Sequence, residues 1–164
     1  MSALAASLAR YGEYHRDRRN VATHLVGIPM IFLAVVILLS RPLGHVGELP
    51  LNPAILASLA AALFYFRLDL RFGLVMSALL ALCCWIGLAL ASLPTNQWLA
   101  WGIGLFVVGW IIQFVGHGFE GRKPAFMDDL KSLLVGPLFV VAELAFMFGL
   151  RRQLRAQVMG GEPG

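Results

Sequence analysis

Apolar and polar residues follow one another along this chain in blocks. Short polar or charged segments separate five apolar runs, at residues 25–40, 53–66, 72–93, 98–115 and 133–150. A hydrocarbon core about 30 Å thick needs roughly 20 apolar residues for each crossing helix, within a range of about 17–25. The runs therefore predict an all-α fold, a polytopic membrane helix bundle with four to five membrane segments.

The first 24 residues differ from the rest in pattern. Leu4, Leu8 and Tyr11 fall on one face of a short helix, and this amphipathic pattern is typical of a helix that lies at the membrane interface. The chain is thus expected to form a single integral membrane domain over residues 1–164. Within it, residues 1–24 form an interfacial segment, residues 25–150 the membrane bundle and residues 151–164 a frayed basic tail.

Composition agrees with a membrane protein and argues against nucleic acid as a partner. Hydrophobic residues make up 59% of the 164 positions and charged residues 13%, whereas a soluble domain has about 45–50% and about 25%. The net charge is +4, but the arginines cluster beside the apolar runs, where topology signals and lipid headgroup contacts fall. The adjacent Cys83 and Cys84 are interpreted as small apolar helix residues.

The distribution of basic residues predicts which loops face the cytoplasm. Four arginines precede the first run, two lie in segment 67–71, and Arg122, Lys123 and Lys131 lie in segment 116–132. The alternate loops carry only Arg41, so the N-terminus is expected inside. Three arginines in the C-terminal tail do not fit a fifth full crossing. The last run is therefore left open, as a re-entrant, interfacial or crossing segment.

This topology brings three of the four histidines to one side. Four crossings separate His24 from His117, so His15, His24 and His117 are expected on the cytoplasmic face and His45 on the opposite one. His15 and His24 are nine residues apart, which places them on opposite sides of a continuous helix. A bend in segment 16–20, with Asn20 as a candidate N-cap, would let both reach one site.

Three histidines on one face suggest a metal site, because neutral imidazole is a common ligand for Zn, Fe, Cu and Ni. Glu120 could bind the metal directly or hold a histidine tautomer. Asn20 and Gln113 each lie four residues before a histidine, so they could orient ligands or substrate. The ordinary interpretation, unrelated interfacial histidines, remains open, since the chain has no compact motif such as H-E-x-x-H. Arg122 and Lys123 could bind a carboxylate or a lipid headgroup, or serve only as a topology signal.

Two motif blocks resemble those of a known family. The first is Tyr11-x3-His15-x4-Asn20-x3-His24-x2-Gly27-x-Pro29, and the second is Trp110-x2-Gln113-Phe114-x-Gly116-His117 with Glu120-Gly121-Arg122-Lys123-Pro124-Ala125-Phe126. They are similar to a family of small membrane proteins, formerly a domain of unknown function, whose fungal member is the 2-hydroxy fatty acid dioxygenase of α-oxidation. The segment Leu133-Leu134-Val135-Gly136-Pro137-Leu138 resembles the family's bacterial branch.

The resemblance implies an Fe(II)-dependent dioxygenase that uses O2 to remove the carboxyl carbon of a 2-hydroxy fatty acid. It implies His15, His24 and His117 as metal ligands. Beside them we expect Glu120, Asn20 and Gln113 as catalytic residues, and Arg122, Lys123 and Tyr11 as substrate-binding residues. The fungal pattern has one more residue between the last histidine and the Phe-Glu pair, which bears on the role of Glu120. Membership in the bacterial branch implies the inner membrane, in contact with lipid, and the charge bias of the loops predicts that the site faces the cytoplasm.

Two other functions stay open at this stage. One is a non-enzymatic membrane transporter or assembly factor, in which Glu143 and the histidines form a proton or ion path. The other is a zinc-dependent lipid enzyme. The sequence does not fix the oligomeric state, and a homodimer is compatible with it.

Overall fold

The computed structural model describes residues 2–47 and 49–160, with only the backbone described at residues 45, 46, 49 and 50. Seven α-helices lie within these ranges: α1 Ala3–Gly12, α2 Arg18–Leu39, α3 Pro53–Leu68, α4 Leu70–Ala91, α5 Thr95–Glu120, α6 Ser132–Met147 and α7 Arg152–Val158. A 3-10 turn covers Ala125–Met127, and strands β1 His45–Val46 and β2 Leu49–Pro50 form a two-residue antiparallel pair. The predicted all-α fold is confirmed.

By its internal contacts the chain divides into two compact units. The site unit comprises the chain up to Ile28 and from Ile111 onward, and the hairpin unit comprises Pro29–Trp110. That residues 1–164 act as one domain stays a prediction.

Helix α1 begins the site unit. The Ser2 hydroxyl accepts a hydrogen bond from the backbone N–H of Ala5 at 3.1 Å and so caps the helix. Leu4, Leu8 and Tyr11 are buried along one face, which confirms the predicted amphipathic helix. That face packs against α6 and α7, while the interfacial location of the segment stays a prediction.

The chain breaks between α1 and α2, as the spacing of His15 and His24 predicts. The N-cap of α2 differs from the expected Asn20, which lies inside the helix. Instead, the Asp17 carboxylate accepts from the backbone N–H of Arg19 at 2.8 Å, and the Asp17 carbonyl accepts from the N–H of Val21 at 3.0 Å. Asp17 therefore caps α2, three residues before the expected cap Asn20, because its short side chain can reach the first free N–H groups of the helix.

In the hairpin unit, α3 and α4 pack as an antiparallel pair joined at Asp69. The Asp69 carboxylate caps α4 by accepting from the N–H of Phe72 at 2.9 Å. Arg41, which follows the end of α2, donates to the carbonyl of Leu93, in the connection between α4 and α5, at 2.8 Å. Trp98 donates its indole N–H to the carbonyl of Ile37 at 2.8 Å.

Three described helices, α2, α4 and α5, are long and apolar enough to cross a membrane. Helices α3 and α6 are apolar but have only 16 residues each, so the predicted count of four to five membrane segments is not confirmed. Helix α5 continues to Glu120, five residues beyond the apolar run, whereas α6 ends at Met147, before the predicted end at Leu150. The extension of α5 carries His117 and Glu120 on helical backbone.

Candidate metal centre

His15 lies in the irregular turn between α1 and α2. Its Nδ1 is 2.7 Å from the backbone carbonyl oxygen of Tyr11. Its ring stacks on the Tyr11 ring with centroids 4.3 Å apart and an interplanar angle of 10°, and Phe139 of α6 lies 5.5 Å away. The end of α1 and one aromatic residue of α6 therefore set the orientation of this imidazole.

His24 and His117 come from two helices. His24 lies in the second turn of α2, where its Nδ1 is 2.8 Å from the backbone carbonyl oxygen of Asn20. His117 lies in the last turn of α5. Both positions belong to the site unit, as does His15.

The three imidazoles form one compact group. Ring centroids are 4.2 Å apart for His15 and His24, 4.9 Å for His24 and His117, and 5.3 Å for His15 and His117. One nitrogen from each ring lies within 4.8 Å of the other two. The side chains are buried, with exposures of 5%, 1% and 7% for His15, His24 and His117.

The hydrogen bonds assign the tautomers of His15 and His24. Each Nδ1 faces a backbone carbonyl, which only accepts, so each Nδ1 carries a proton. In the neutral rings both Nε2 atoms are then acceptors, yet they lie 2.8 Å apart. Two lone pairs at this distance repel each other unless a cation or a shared proton lies beside them.

His117 adds a third unsatisfied nitrogen. Its Nδ1 is buried and has no hydrogen-bond partner among the described residues. A buried imidazole nitrogen without a partner, in a ring whose centroid is 4.9 Å from that of His24 and 5.3 Å from that of His15, is a group that a bound metal ion would satisfy. Carbonyl acceptors on the opposite nitrogens are the usual second contact of metal-binding histidines. The residues present therefore fit a metal ion.

Burial also keeps His15 in the neutral form, which is the form that binds metal. Desolvation lowers the pKa of His15 from 6.5 to about 4. The imidazole is then neutral at physiological pH, as coordination requires.

The Glu120 carboxylate accepts hydrogen bonds from the residues that follow His15 and from Asn20. Oε1 accepts from the backbone N–H of Arg16 at 3.0 Å, and Oε2 accepts from that of Asp17 at 2.8 Å. Oε2 also accepts from Nδ2 of Asn20 at 3.1 Å. The metal-binding group found among the described residues contains the three histidines alone. The catalytic role expected for Glu120 stays a prediction.

The other two residues expected to be catalytic, Asn20 and Gln113, are buried, with exposures of 0% and 3%. Asn20 Nδ2 donates to Glu120 and, at 3.3 Å, to the carbonyl of Tyr14. Gln113 lies one turn before His117, and its Nε2 has no hydrogen-bond partner within the described part of the chain. It is thus a buried donor near the site that nothing in the described protein satisfies. The catalytic roles of both residues remain predictions.

Comparison with known proteins identifies the family. Residues 1–148 match the family described as 2-hydroxy-palmitic acid dioxygenase Mpo1-like. The chain belongs to this family. A curated relative in the Mpo1-like family, the 2-hydroxy-palmitic acid dioxygenase MPO1 of Saccharomyces cerevisiae, is 34% identical over 155 residues, which cover 93% of this chain and 86% of the yeast protein. No solved structure matches the chain.

Membership in the Mpo1-like family confirms the resemblance inferred from the two motif blocks. The family and the yeast relative are named for an enzyme, so the prediction that the chain is an enzyme is confirmed as well.

The three residues predicted to bind substrate each have a partner within the protein. Tyr11 is buried against His15. Arg122 donates to the carbonyl of Glu13 at 3.0 Å. Lys123 forms an ion pair with Asp128. Their role in substrate binding remains a prediction.

The predicted exclusion of His45 also remains a prediction, since the side chain of this residue lies outside the described part of the structure.

Two positions that sequence reasoning missed shape the site. Gly116 lies where α5 meets α2, and a Cβ atom there would lie 2.6 Å from Oδ1 of Asn20 and would also overlap Oγ1 of Thr23. In the sequence, a glycine directly before the candidate ligand His117 was the only indication of this close helix contact. Phe139, which contacts Tyr11 and His15, lies in an apolar run whose pattern contains no indication of this contact.

Proposed function

We propose that this protein is an Fe(II)-dependent dioxygenase that converts a 2-hydroxy fatty acid into the fatty acid one carbon shorter. The observation that carries the proposal is the group of three buried imidazoles, each of which offers one nitrogen within 4.8 Å of those of the other two. The Mpo1-like family supports the substrate class, since the family and its yeast relative are named for 2-hydroxy-palmitic acid.

The reaction balances without another reductant or co-substrate. A 2-hydroxy acid and O2 give the shortened acid, carbon dioxide and water. The bond between C1 and C2 breaks, C2 becomes the new carboxyl carbon, and the organic substrate loses four electrons. These four electrons reduce O2 completely, with one oxygen atom leaving as water. No 2-oxoglutarate is therefore needed.

The donor set suits this chemistry. Three neutral nitrogen ligands leave coordination positions open, as catalytic metal sites require. When bound, Fe(II) supplies the O2 binding and one-electron chemistry that protein side chains lack. The chain contributes the ligands, their orientation through Tyr11 and Asn20, and burial that keeps bulk water away.

Gln113 is the chain's own candidate for holding the substrate head. Its unpaired Nε2 can donate to the carboxylate or to the 2-hydroxyl oxygen, and this contact would satisfy a buried donor that otherwise costs about 1–3 kcal/mol. Arg122 and Lys123 add positive charge beside the turn. Lys123 would have to release Asp128 before it could contact a carboxylate.

The membrane environment suits an acyl substrate. Helices long and apolar enough to cross a membrane carry two of the three histidines at their ends. We place the site on the cytoplasmic side of a bacterial inner membrane, from the charge bias of the loops. A fatty acid could then keep its chain in lipid while its polar head reaches the histidines.

Product analysis tests the reaction and separates it from the alternatives. Anaerobically purified protein with Fe(II) is expected to convert 2-hydroxypalmitate into pentadecanoate with consumption of O2, and to leave palmitate, the matched control, unchanged. Bound zinc without O2 consumption would support a zinc-dependent lipid enzyme instead. Protein without metal or turnover would contradict both enzymatic functions and leave the transporter.

A further inference from the structure

The three candidate ligands are not held alike. His24 and His117 stand on long helices, whose backbone hydrogen bonds fix them. His15 lies between Gly12, where α1 ends, and Arg18, where α2 begins. It is therefore the ligand whose position needs a restraint from outside its own element.

The end of α1 and Phe139 orient its ring, and a further restraint on its backbone comes from the end of α5. Residues 13–17, which we call the ligand turn, present the backbone N–H groups of Arg16 and Asp17 to one carboxylate, that of Glu120. Glu120 lies three residues after His117 on the same helix. One side chain thus ties the turn that carries one ligand to the helix end that carries another.

Asn20 extends the same connection. Its Nδ2 donates both to Oε2 of Glu120 and to the carbonyl of Tyr14, so the amide bridges the carboxylate and the ligand turn. Two further hydrogen bonds hold the ligand turn. Arg122 donates to the Glu13 carbonyl, and the Tyr14 hydroxyl donates to Asp128 at 3.0 Å. Among the described contacts of these residues, only those of Glu120 hold the two residues that directly follow His15, Arg16 and Asp17.

We propose that Glu120 is a positioning residue that sets the site geometry by clamping the ligand turn against the end of α5. It acts on metal binding through His15 and does not itself bind the metal. The proposal rests on the proposed metal function of the three histidines. In this role the Glu120 carboxylate holds the ligand turn by accepting from the backbone N–H groups of Arg16 and Asp17.

The geometry explains why a carboxylate stands at this position. Two oxygens, both acceptors, receive three N–H donors. A glutamine would keep one oxygen and turn an NH2 group toward a backbone N–H, so that donor would face donor. An aspartate would keep the charge but withdraw the oxygens by one methylene group.

A double-mutant cycle on metal affinity separates this role from direct coordination. Co(II) binding, followed by its visible absorption spectrum, is measured without substrate or O2 for the wild type, Glu120→Gln, His15→Ala and the double variant. Glu120→Gln is expected to weaken binding by about 10- to 100-fold, as for other residues that orient ligands. In the His15→Ala background the same substitution is expected to change nothing, because the ligand that it positions is gone.

Three results would overturn the proposal. They are a wild-type affinity for Glu120→Gln, an equal weakening in the His15→Ala background, and an unchanged affinity for Glu120→Asp, which would show that charge alone matters. Asp129→Asn is the matched control, since Asp129 pairs with Arg10 of α1 outside the ligand turn, and it is expected to bind Co(II) as the wild type does.

Far-UV circular dichroism of each variant shows whether it is folded. If Glu120→Gln does not fold, Glu120→Asp carries the cycle in its place. Because the cycle uses neither substrate nor O2, its outcome is independent of whether the protein is a dioxygenase.

Discussion

At the scale of single residues, the centre depends on which nitrogen of each imidazole carries the proton. The backbone carbonyls of Tyr11 and Asn20 fix Nδ1 of His15 and His24 as donors, so both Nε2 atoms present lone pairs to each other. His117 brings a third nitrogen without a partner among the described residues. The argument for a bound cation therefore rests on which ring nitrogens lack a hydrogen-bond donor, and not only on the short distances between the rings.

Replacement of single histidines should therefore remove the metal. We expect His24→Ala and His117→Ala to lose nearly all of the iron that the wild type retains after anaerobic purification, because each change removes a ligand from a three-ligand set. Metal content by mass spectrometry measures this. His45→Ala is the matched control and should keep its iron. Full iron occupancy in both His24→Ala and His117→Ala would exclude the centre.

Gln113 tests the substrate side of the same site. Gln113→Leu removes the buried Nε2 donor at nearly constant volume, so we expect KM for 2-hydroxypalmitate to rise about tenfold, as for the loss of a hydrogen bond of about 1.4 kcal/mol. The iron content should stay unchanged. The melting temperature should not fall, because an unpaired buried donor does not stabilise the folded protein. An unchanged KM would contradict a contact between Gln113 and the substrate.

At the scale of the elements, the site depends on the close approach of α2 and α5 at Gly116. Gly116 of α5 leaves room for Asn20 and Thr23 of α2. Thr23 in turn donates its hydroxyl to the Asn20 carbonyl at 2.7 Å, the same oxygen that receives His24 Nδ1. The close approach of the helices and the tautomer of His24 are thus coupled through Asn20.

A methyl group at position 116 should disturb this approach. Gly116→Ala would place a Cβ atom against Asn20 and Thr23, so we expect a loss of about 1–3 kcal/mol in the free energy of unfolding, together with a lower iron content. Thermal unfolding in detergent measures the first and mass spectrometry the second. Gly118→Ala is the control two residues away, because nothing lies within 4 Å of its Cβ position, and it should be neutral or stabilising by up to about 1 kcal/mol. Equal behaviour of the two variants would contradict the close packing at Gly116.

Local patterns in the sequence were enough to predict much of this arrangement. The four-residue spacing of Gln113 and His117 predicted that the two lie near each other, and the spacing of nine residues between His15 and His24 predicted a break. The N-cap was predicted wrongly, because segment 16–20 contains two short polar residues that can cap a helix, Asp17 and Asn20, and the sequence alone does not show which one is used. Contacts such as Tyr14 with Asp128 could not be predicted, since residues 114 positions apart leave no periodic signal.

At the scale of the whole molecule, the histidine contact restricts the topology. His24 lies near the start of α2 and His117 near the end of α5, yet their rings are 4.9 Å apart, so both must lie on one side of the membrane. The number of crossings between them is then even. Since α2, α4 and α5 are long enough to cross, we expect the 16-residue α3 to cross as well. Helix α7 packs against α1, so we expect the C-terminal helix on the same side of the membrane as the N-terminus.

Cysteine labelling tests this topology. In a background with Cys83 and Cys84 replaced by serine, a membrane-impermeant maleimide added to spheroplasts should label Gly44→Cys, in the loop after α2. It should not label Arg71→Cys, in the first turn of α4, or Gln157→Cys in α7 until the membrane is permeabilised. Labelling of Gln157→Cys from outside would contradict a shared side for α1 and α7.

The most direct test of the central claim is the dependence of O2 consumption on iron. Metal-free protein is titrated with Fe(II) under anaerobic conditions and then mixed with 2-hydroxypalmitate and O2. Consumption of O2 should rise in proportion to bound iron, reach a plateau at a single iron per chain, yield one pentadecanoate for each O2, and be absent with zinc or in His117→Ala. Consumption that does not depend on added iron, or that persists in His117→Ala, would contradict the three-histidine centre as the site of the reaction.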